Sequence, residues 1–392
     1  MKLHKTGVIS AGLALFSMFF GAGDLIWPLI LGGETGEKNV FAVIGLLITG
    51  VSLPLLGLIA MNLFQGDHYK FFRQIGRMPG IILLFFIQAI LGPFGSTPRL
   101  FTLAHATLKP YLPEFLNLPI FCIFAIALVF MCAIYRHRII DIVGLFLSPI
   151  LLASLGLIIF LGLSHHPIAQ PTILSEKEAL FRGLNVGYNT LDLIASFIFA
   201  PLVLCYFKID EKNLNDLESQ RHVFKKMIKS SLIAGFLLAI VFIGLTYIGS
   251  YYTSILPLHN PEERLGAISI YLLGSKGAFF SCLAVSLSCL TTAIPISVIS
   301  AEYIQGQFMK NKGGQAIPML IGLLLSAIVA NLGFMGIANM LNPILQILCP
   351  GLIILSLFSI LHKIYEMPIR RAPIFAAFAL SLISYFLKLN FH

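Results

Sequence analysis

The sequence predicts an all-α polytopic membrane protein, one domain of about eleven transmembrane helices. Two observations carry this. Of the 392 residues, 58% are hydrophobic and only 11% are charged, whereas a soluble domain carries about 25% charged residues. Apolar runs of the length that crosses a bilayer, about 18 to 20 residues, recur along the whole chain, and the mean hydropathy is +0.92. A third observation predicts internal order: a glycine-containing interruption in the first span has an echo in the sixth.

The first span is expected over 7–31. Its basic start and apolar stretch, MKLHKTGVISAGLALFSMFF, imitate a signal peptide. The apolar run resumes as LIWPLIL, so a retained span is expected. Between the two runs lies GAGDLIWP, Gly21 to Pro28. Glycine costs about 1 kcal/mol in a helix interior and proline about 3. An aspartate at bilayer depth costs roughly 2.5–3.5 kcal/mol. The stretch therefore reads as a deliberate break.

Spans 2 to 5 follow as apolar runs at 39–63, 80–107, 118–135 and 141–163. Within span 3 the tripeptide Thr97-Pro98-Arg99 is an interruption. Arg99 either snorkels to the surface or pairs with a carboxylate. Asp141 follows Arg136 and Arg138 and reads as a loop charge, and His165 and His166 fall in the loop after span 5.

Span 6, 184–207, contains GYNTLDLIASFIFAP, Gly187 to Pro201. Like span 1 it has a glycine, then small or polar residues, then Asp-Leu-Ile, then a proline. Asp24 and Asp192 are 168 residues and five spans apart. Five is odd, so the second copy runs the opposite way through the membrane, as in inverted-repeat transporters. The halves are expected at 7–163 and 184–361. Close packing of helices on glycine is the structural alternative for each glycine alone.

Spans 7 to 11 are expected at 226–252, 277–305, 315–332, 336–361 and 372–388, the last an extra helix. FKKMIK (224–229) reads as a cytoplasmic anchor facing anionic lipid. With the N-terminus placed in the cytoplasm, 18 of the 26 Lys and Arg fall in inside segments and 7 in outside segments. The positive-inside rule then fixes that orientation and puts the C-terminus outside. The net charge of +9 thus reports membrane orientation, and no nucleic-acid partner is expected. The six cysteines lie in or beside apolar spans without metal-ligand spacing.

A broken span frees N–H and C=O groups at membrane depth, where only protein, water or ligand can satisfy them. Half-helix N-termini suit a carboxylate, and C-terminal carbonyls suit a cation. This chemistry points to a small anionic or zwitterionic substrate. In span 8, SLSCLTTAIPIS places Ser288, Thr291 and Thr292 at i, i+3 and i+4, on one face. Oxygen ligands of this type suit a hard cation. Hydroxyls that bond back to carbonyls or join helices are the alternative. The chain carries no HExxH, GxSxG or P-loop, so an enzyme is not expected. A purely structural subunit would need neither broken helix.

The stretches FFGAGDLIWP (19–28), GPFGSTPR (92–99), GYNTLD (187–192), GLTYIGS (244–250), CLTTA (289–293) and NLGF (331–334) together resemble the bacterial branched-chain amino acid carrier family. These are sodium symporters for leucine, isoleucine and valine in the amino acid–polyamine–organocation superfamily. The resemblance implies a five-plus-five inverted-repeat transporter fold with broken helices 1 and 6, in the bacterial cytoplasmic (inner) membrane. It implies secondary active import by alternating access, with sodium as coupling ion and no other cofactor. A transporter of another amino acid or small zwitterion, proton-coupled, is the alternative. Substrate would meet Gly21, Ala22, Gly23 and Asp24 in span 1 and Gly187, Tyr188, Asn189 and Thr190 in span 6. Sodium would lie between Ser17 and Phe20 of span 1 and Ser288, Thr291 and Thr292 of span 8. The chain departs from the family pattern at Asp24, usually asparagine, and at Pro295, usually glycine. It also has eleven spans rather than twelve. Asp24 is therefore expected to bind a cation, to carry a proton, or to cap the second half of span 1.

Overall fold

The computed structural model describes residues 7–134, 148–164, 168–209, 216–252, 260–308, 314–368 and 371–390. Asp141, His165 and His166 lie outside the described residues. Among the described residues the secondary structure is helical throughout. Six helical runs are long and apolar enough to cross a membrane, and five shorter apolar helices accompany them.

Divided at their breaks, these helices make eleven spans. Span 1 is Val8–Phe19 followed by Ala22–Thr35. Span 2 is Asn39–Leu47 and Leu53–Leu63, joined through a π-helical turn at Ile48–Ser52. Span 3 is Arg77–Leu91 and Ser96–Leu108, span 4 Leu118–Ile134 and span 5 Ser148–Ser164. Span 6 is Glu176–Asn189 and Asp192–Lys208, and span 7 is Leu217–Tyr252. Span 8, Arg264–Phe308, kinks at Gly274, whose φ is 67°. Spans 9, 10 and 11 are Ala316–Ala330, Gly333–Tyr365 and Arg371–Asn390.

Boundaries differ from expectation in spans 3, 6 and 7, and span 7 starts at Leu217 rather than 226. Span 3 is not continuous: it breaks between Leu91 and Ser96, and Thr97-Pro98-Arg99 lies inside its second half. Proline is tolerated there because first-turn N–H groups have no helical acceptor. Span 6 starts at Glu176 because Ser175 and Glu178 form a capping box. In span 8 the break at Gly274 falls close to the expected start at 277, and a helix from Arg264 precedes it in a stretch read as loop.

The packing repeats itself. Span 2 lies along both halves of span 6, and span 7 lies along both halves of span 1. Span 5 meets span 7 as span 10 meets span 2, and span 4 meets span 8 as span 9 meets span 3. This is the contact pattern of two five-helix units related by inversion, with span 11 packed on span 10. The fold is the five-plus-five inverted repeat.

On the side where span 2 ends, the short helix His68–Phe72 docks under span 6. Pro201 has no N–H, so the carbonyl of Phe197 lacks its helical donor. His68 Nε2 lies 2.9 Å from that oxygen. A carbonyl only accepts, so Nε2 carries the proton. The Phe71 ring packs 5.3 Å from that of Phe197. Burial pushes His68 below its ordinary pKa of 6.5, against the opposing pull of the Phe197 bond and Asp67. The undocked ring thus takes up a proton at a pH where the docked ring does not. Stability from docking is present above pH 6.5 and is lost as pH falls toward the lowered value. Intrinsic-rate-corrected hydrogen exchange at 68–72 should therefore quicken severalfold from about pH 7.5 to about pH 5.5. His68→Gln should remove that pH dependence.

Candidate functional site

The two breaks touch. At the first, Phe20 ends one helix and Gly21, in extended conformation, begins the next. Gly21 N–H donates to Asp24 Oδ2 at 2.8 Å, so Asp24 caps the half-helix in which it sits. At the second break, Leu191 adopts a left-handed φ of 73°, a conformation that costs a non-glycine residue of order 1–3 kcal/mol. Asp192 then opens the next half-helix. A Cβ on Gly23 would lie 3.0 Å from both Cα and O of Thr190. Any side chain at this position would force one of the two backbones to shift.

Between the breaks is a cavity of about 20 Å³. Its polar wall is Asp24, Ser96, Arg99, Thr190, Asp192 and Thr292. Met18, Phe19, Leu91, Phe199 and Ile296 supply apolar wall. Spans 1, 3, 6 and 8 all contribute.

Arg99 is 1% exposed. It does not snorkel. Its Nη1 donates to the carbonyl of Asn189 at 3.0 Å, a C-terminal carbonyl of the first half of span 6, where a cation is favoured. The guanidinium lies 5.3 Å from the centre of the Phe334 ring, a cation–π contact, and Trp27 packs 6.1 Å from the same ring. Asp24 and Asp192 both line the cavity. Each is 1% exposed.

Beside the cavity, Thr292 Oγ1 lies 2.9 Å from the carbonyl oxygen of Ser17 and 3.0 Å from that of Ser288. One hydroxyl proton thus serves two carbonyls. Three oxygens from spans 1 and 8 converge there, and Ser17 Oγ is buried without a partner among the described residues. Pro295, having no N–H, leaves the carbonyl of Thr291 without its helical donor.

A sequence profile of the family described as "Branched-chain amino acid transport protein" matches residues 4–392. This chain belongs to that family. The carrier is 31% identical over 379 residues to the branched-chain amino acid permease BrnQ of Bacillus subtilis, covering 93% of this chain and 83% of the permease. Its fold is that of solved transporters. It aligns with Mhp1, a nucleobase-cation-symport-1 family transporter, in a closed conformation with bromovinylhydantoin bound. The TM-score is 0.68 and the identity 16%, over 97% of this chain and 91% of Mhp1. A manganese transporter of Eremococcus coleocola aligns with a TM-score of 0.59 and 10% identity, over 97% of this chain and 86% of that one. At these identities the likeness shows the fold alone. Family and neighbours are membrane transporters, not enzymes.

The carrier brings Gly21, Ala22, Gly23, Asp24, Thr190 and Thr292 to the cavity wall. Gly187 is elsewhere: its α-carbon faces Thr49 and Gly50 of span 2, so it serves helix packing. Tyr188 is half-buried outside that wall, and its carbonyl accepts from Leu191 N–H. Asn189 gives its carbonyl to Arg99. Ser17 and Ser288 meet at Thr292, and Phe20 is fully buried at the end of the first half of span 1. The side chain of Thr291 lies outside the described residues. Three polar cavity residues, Ser96, Arg99 and Asp192, are missing from the site expected from the sequence. Asp192 was visible as an ionisable residue at span depth.

Proposed function

We propose that this carrier imports leucine, isoleucine and valine across the bacterial cytoplasmic membrane by sodium-coupled symport. The observation that carries this reading is the contact of two oppositely directed broken helices at one cavity with a polar and an apolar wall. A zwitterionic headgroup suits the first wall and a branched aliphatic side chain the second. A cavity of about 20 Å³ admits one water-sized guest, far less than such an amino acid. The walls of spans 1, 3, 6 and 8 must part to admit substrate, which is what alternating access requires. The N-terminus is cytoplasmic, as the lysine and arginine bias favours.

Sodium is assigned to the oxygens at Ser17, Phe20, Ser288, Thr291 and Thr292. Uptake of labelled leucine by vesicles containing only this protein tests the reading, with a sodium gradient and with competing amino acids. Thr292→Ala removes one ligand oxygen with little change in helix propensity. The sodium concentration for half-maximal uptake should rise about tenfold, with the protein still in the membrane, and Thr292→Ser should restore most of it. Uptake by the wild type that ignores sodium would remove this site.

A further inference from the structure

Four side-chain atoms at the cavity between the breaks are buried without hydrogen-bond partners among the described residues: Arg99 Nε and Nη2, Asp24 Oδ1 and Asp192 Oδ2. Such atoms are costly, and in a native protein each needs a partner. Here the four comprise one pair of donors and one pair of acceptors. Arg99 uses Nη1 on Asn189, and its Nε–Nη2 edge is left over. That edge is the fork that takes a carboxylate through two parallel bonds. Asp24 uses Oδ2 on Gly21 and keeps Oδ1.

The half-helix N-termini at the breaks are already matched. Ala22–Thr35 carries Asp24 in its first turn, and Asp192–Lys208 carries Asp192. Each positive helix end therefore has its own carboxylate. A second carboxylate brought there would face two negative charges. The ammonium of a substrate would face two attractive ones, and Arg99 is the cation left for the carboxylate.

We infer that Arg99, Asp24 and Asp192 form a side-chain receptor for the α-amino acid headgroup. Arg99 binds the substrate carboxylate through Nε and Nη2, and the free oxygens of Asp24 and Asp192 bind its ammonium. The reading rests on amino acid transport for its substrate class. It replaces the expectation that backbone groups at the breaks hold the carboxylate.

The test uses the full-length purified protein and calorimetric titration with three ligands. L-leucine has both charges, L-leucinamide lacks the carboxylate and 4-methylpentanoate lacks the ammonium. In the wild type both analogues should bind about 100-fold more weakly than leucine. Arg99→Gln should weaken leucine about 100-fold and leave leucinamide unchanged. Asp192→Asn should weaken leucine and leucinamide and leave 4-methylpentanoate unchanged. Arg99→Lys keeps a cation for the Asn189 carbonyl but has no fork. It should fold and still lose leucine affinity selectively over leucinamide. Equal loss of leucine and leucinamide in both Arg99 variants would overturn the assignment, as would a folded wild type that binds no α-amino acid. Leucine binding no better than glycine, with the same Arg99 dependence, would sink the branched-chain reading and support the headgroup receptor.

Discussion

Gly23→Val should abolish amino acid uptake, and Gly23→Ala should reduce it at least about fivefold, with both proteins present in the membrane. A Cβ at this position lies 3.0 Å from Cα and O of Thr190 and 3.3 Å from the Asn189 carbonyl. All three are backbone atoms held at the second break, so no rotamer change makes room. The first turn of Ala22–Thr35 must move off span 6. That movement shifts Asp24, which hydrogen-bonds within this turn, away from Asp192. It also crowds the Asn189 carbonyl that holds Arg99. Overpacking of this kind costs about 1–3 kcal/mol. Borne by the binding-competent arrangement, it lowers apparent affinity by about 5- to 150-fold. Uptake at fixed external leucine, normalised to membrane protein, is the measurement. Wild-type uptake by Gly23→Ala would show that the close contact of the breaks is dispensable.

The second large effect is on folding. Gly32→Leu should leave almost no monodisperse protein after extraction, while Gly156→Leu should leave the yield unchanged. A Cβ on Gly32 would lie 2.7 Å from Ser250 N and 2.8 Å from the Thr246 carbonyl carbon, in the backbone of span 7. Helices in a membrane associate through such close backbone approach. Separating them loses packing along the second half of span 1, for an expected cost of about 3 kcal/mol or more. Gly156, exposed on span 5, has nothing within 4 Å of its added Cβ. It controls for the general effect of leucine in place of glycine. Size-exclusion profiles of the detergent-extracted proteins give the comparison. Equal profiles for the two variants would dismiss the crossing at Gly32 as a stability determinant.

The two predictions separate two uses of glycine that look identical in the sequence. Gly21–Pro28 reads as a break because glycine, aspartate and proline together are expensive at bilayer depth, whatever the neighbours do. The echo at Asp192, the eleven apolar runs and the Thr292 face of span 8 are legible for the same reason. Each is a local cost or a local periodicity. Gly187 satisfies the same pattern, yet it packs against Thr49 and Gly50, and nothing within five residues of it distinguishes packing from binding.

Arg99 shows the same division. Its presence in a span raises two outcomes, snorkelling or pairing, and the chain around it is compatible with both. The outcome depends on the Asn189 carbonyl and the Phe334 ring, which lie 90 or more residues away. His68 finds the Phe197 carbonyl across 129 residues, because Pro201 removed its helical donor. The sequence by itself determined the class, the spans, the two breaks and the candidate cation face, because hydropathy, helix cost and helical period act over at most a few turns. Only the tertiary structure decided which charges meet at the cavity, which glycines are contacts and where span 3 divides. Those depend on which orphaned polar groups are brought together once the inverted halves pack, and no spacing along the chain encodes that.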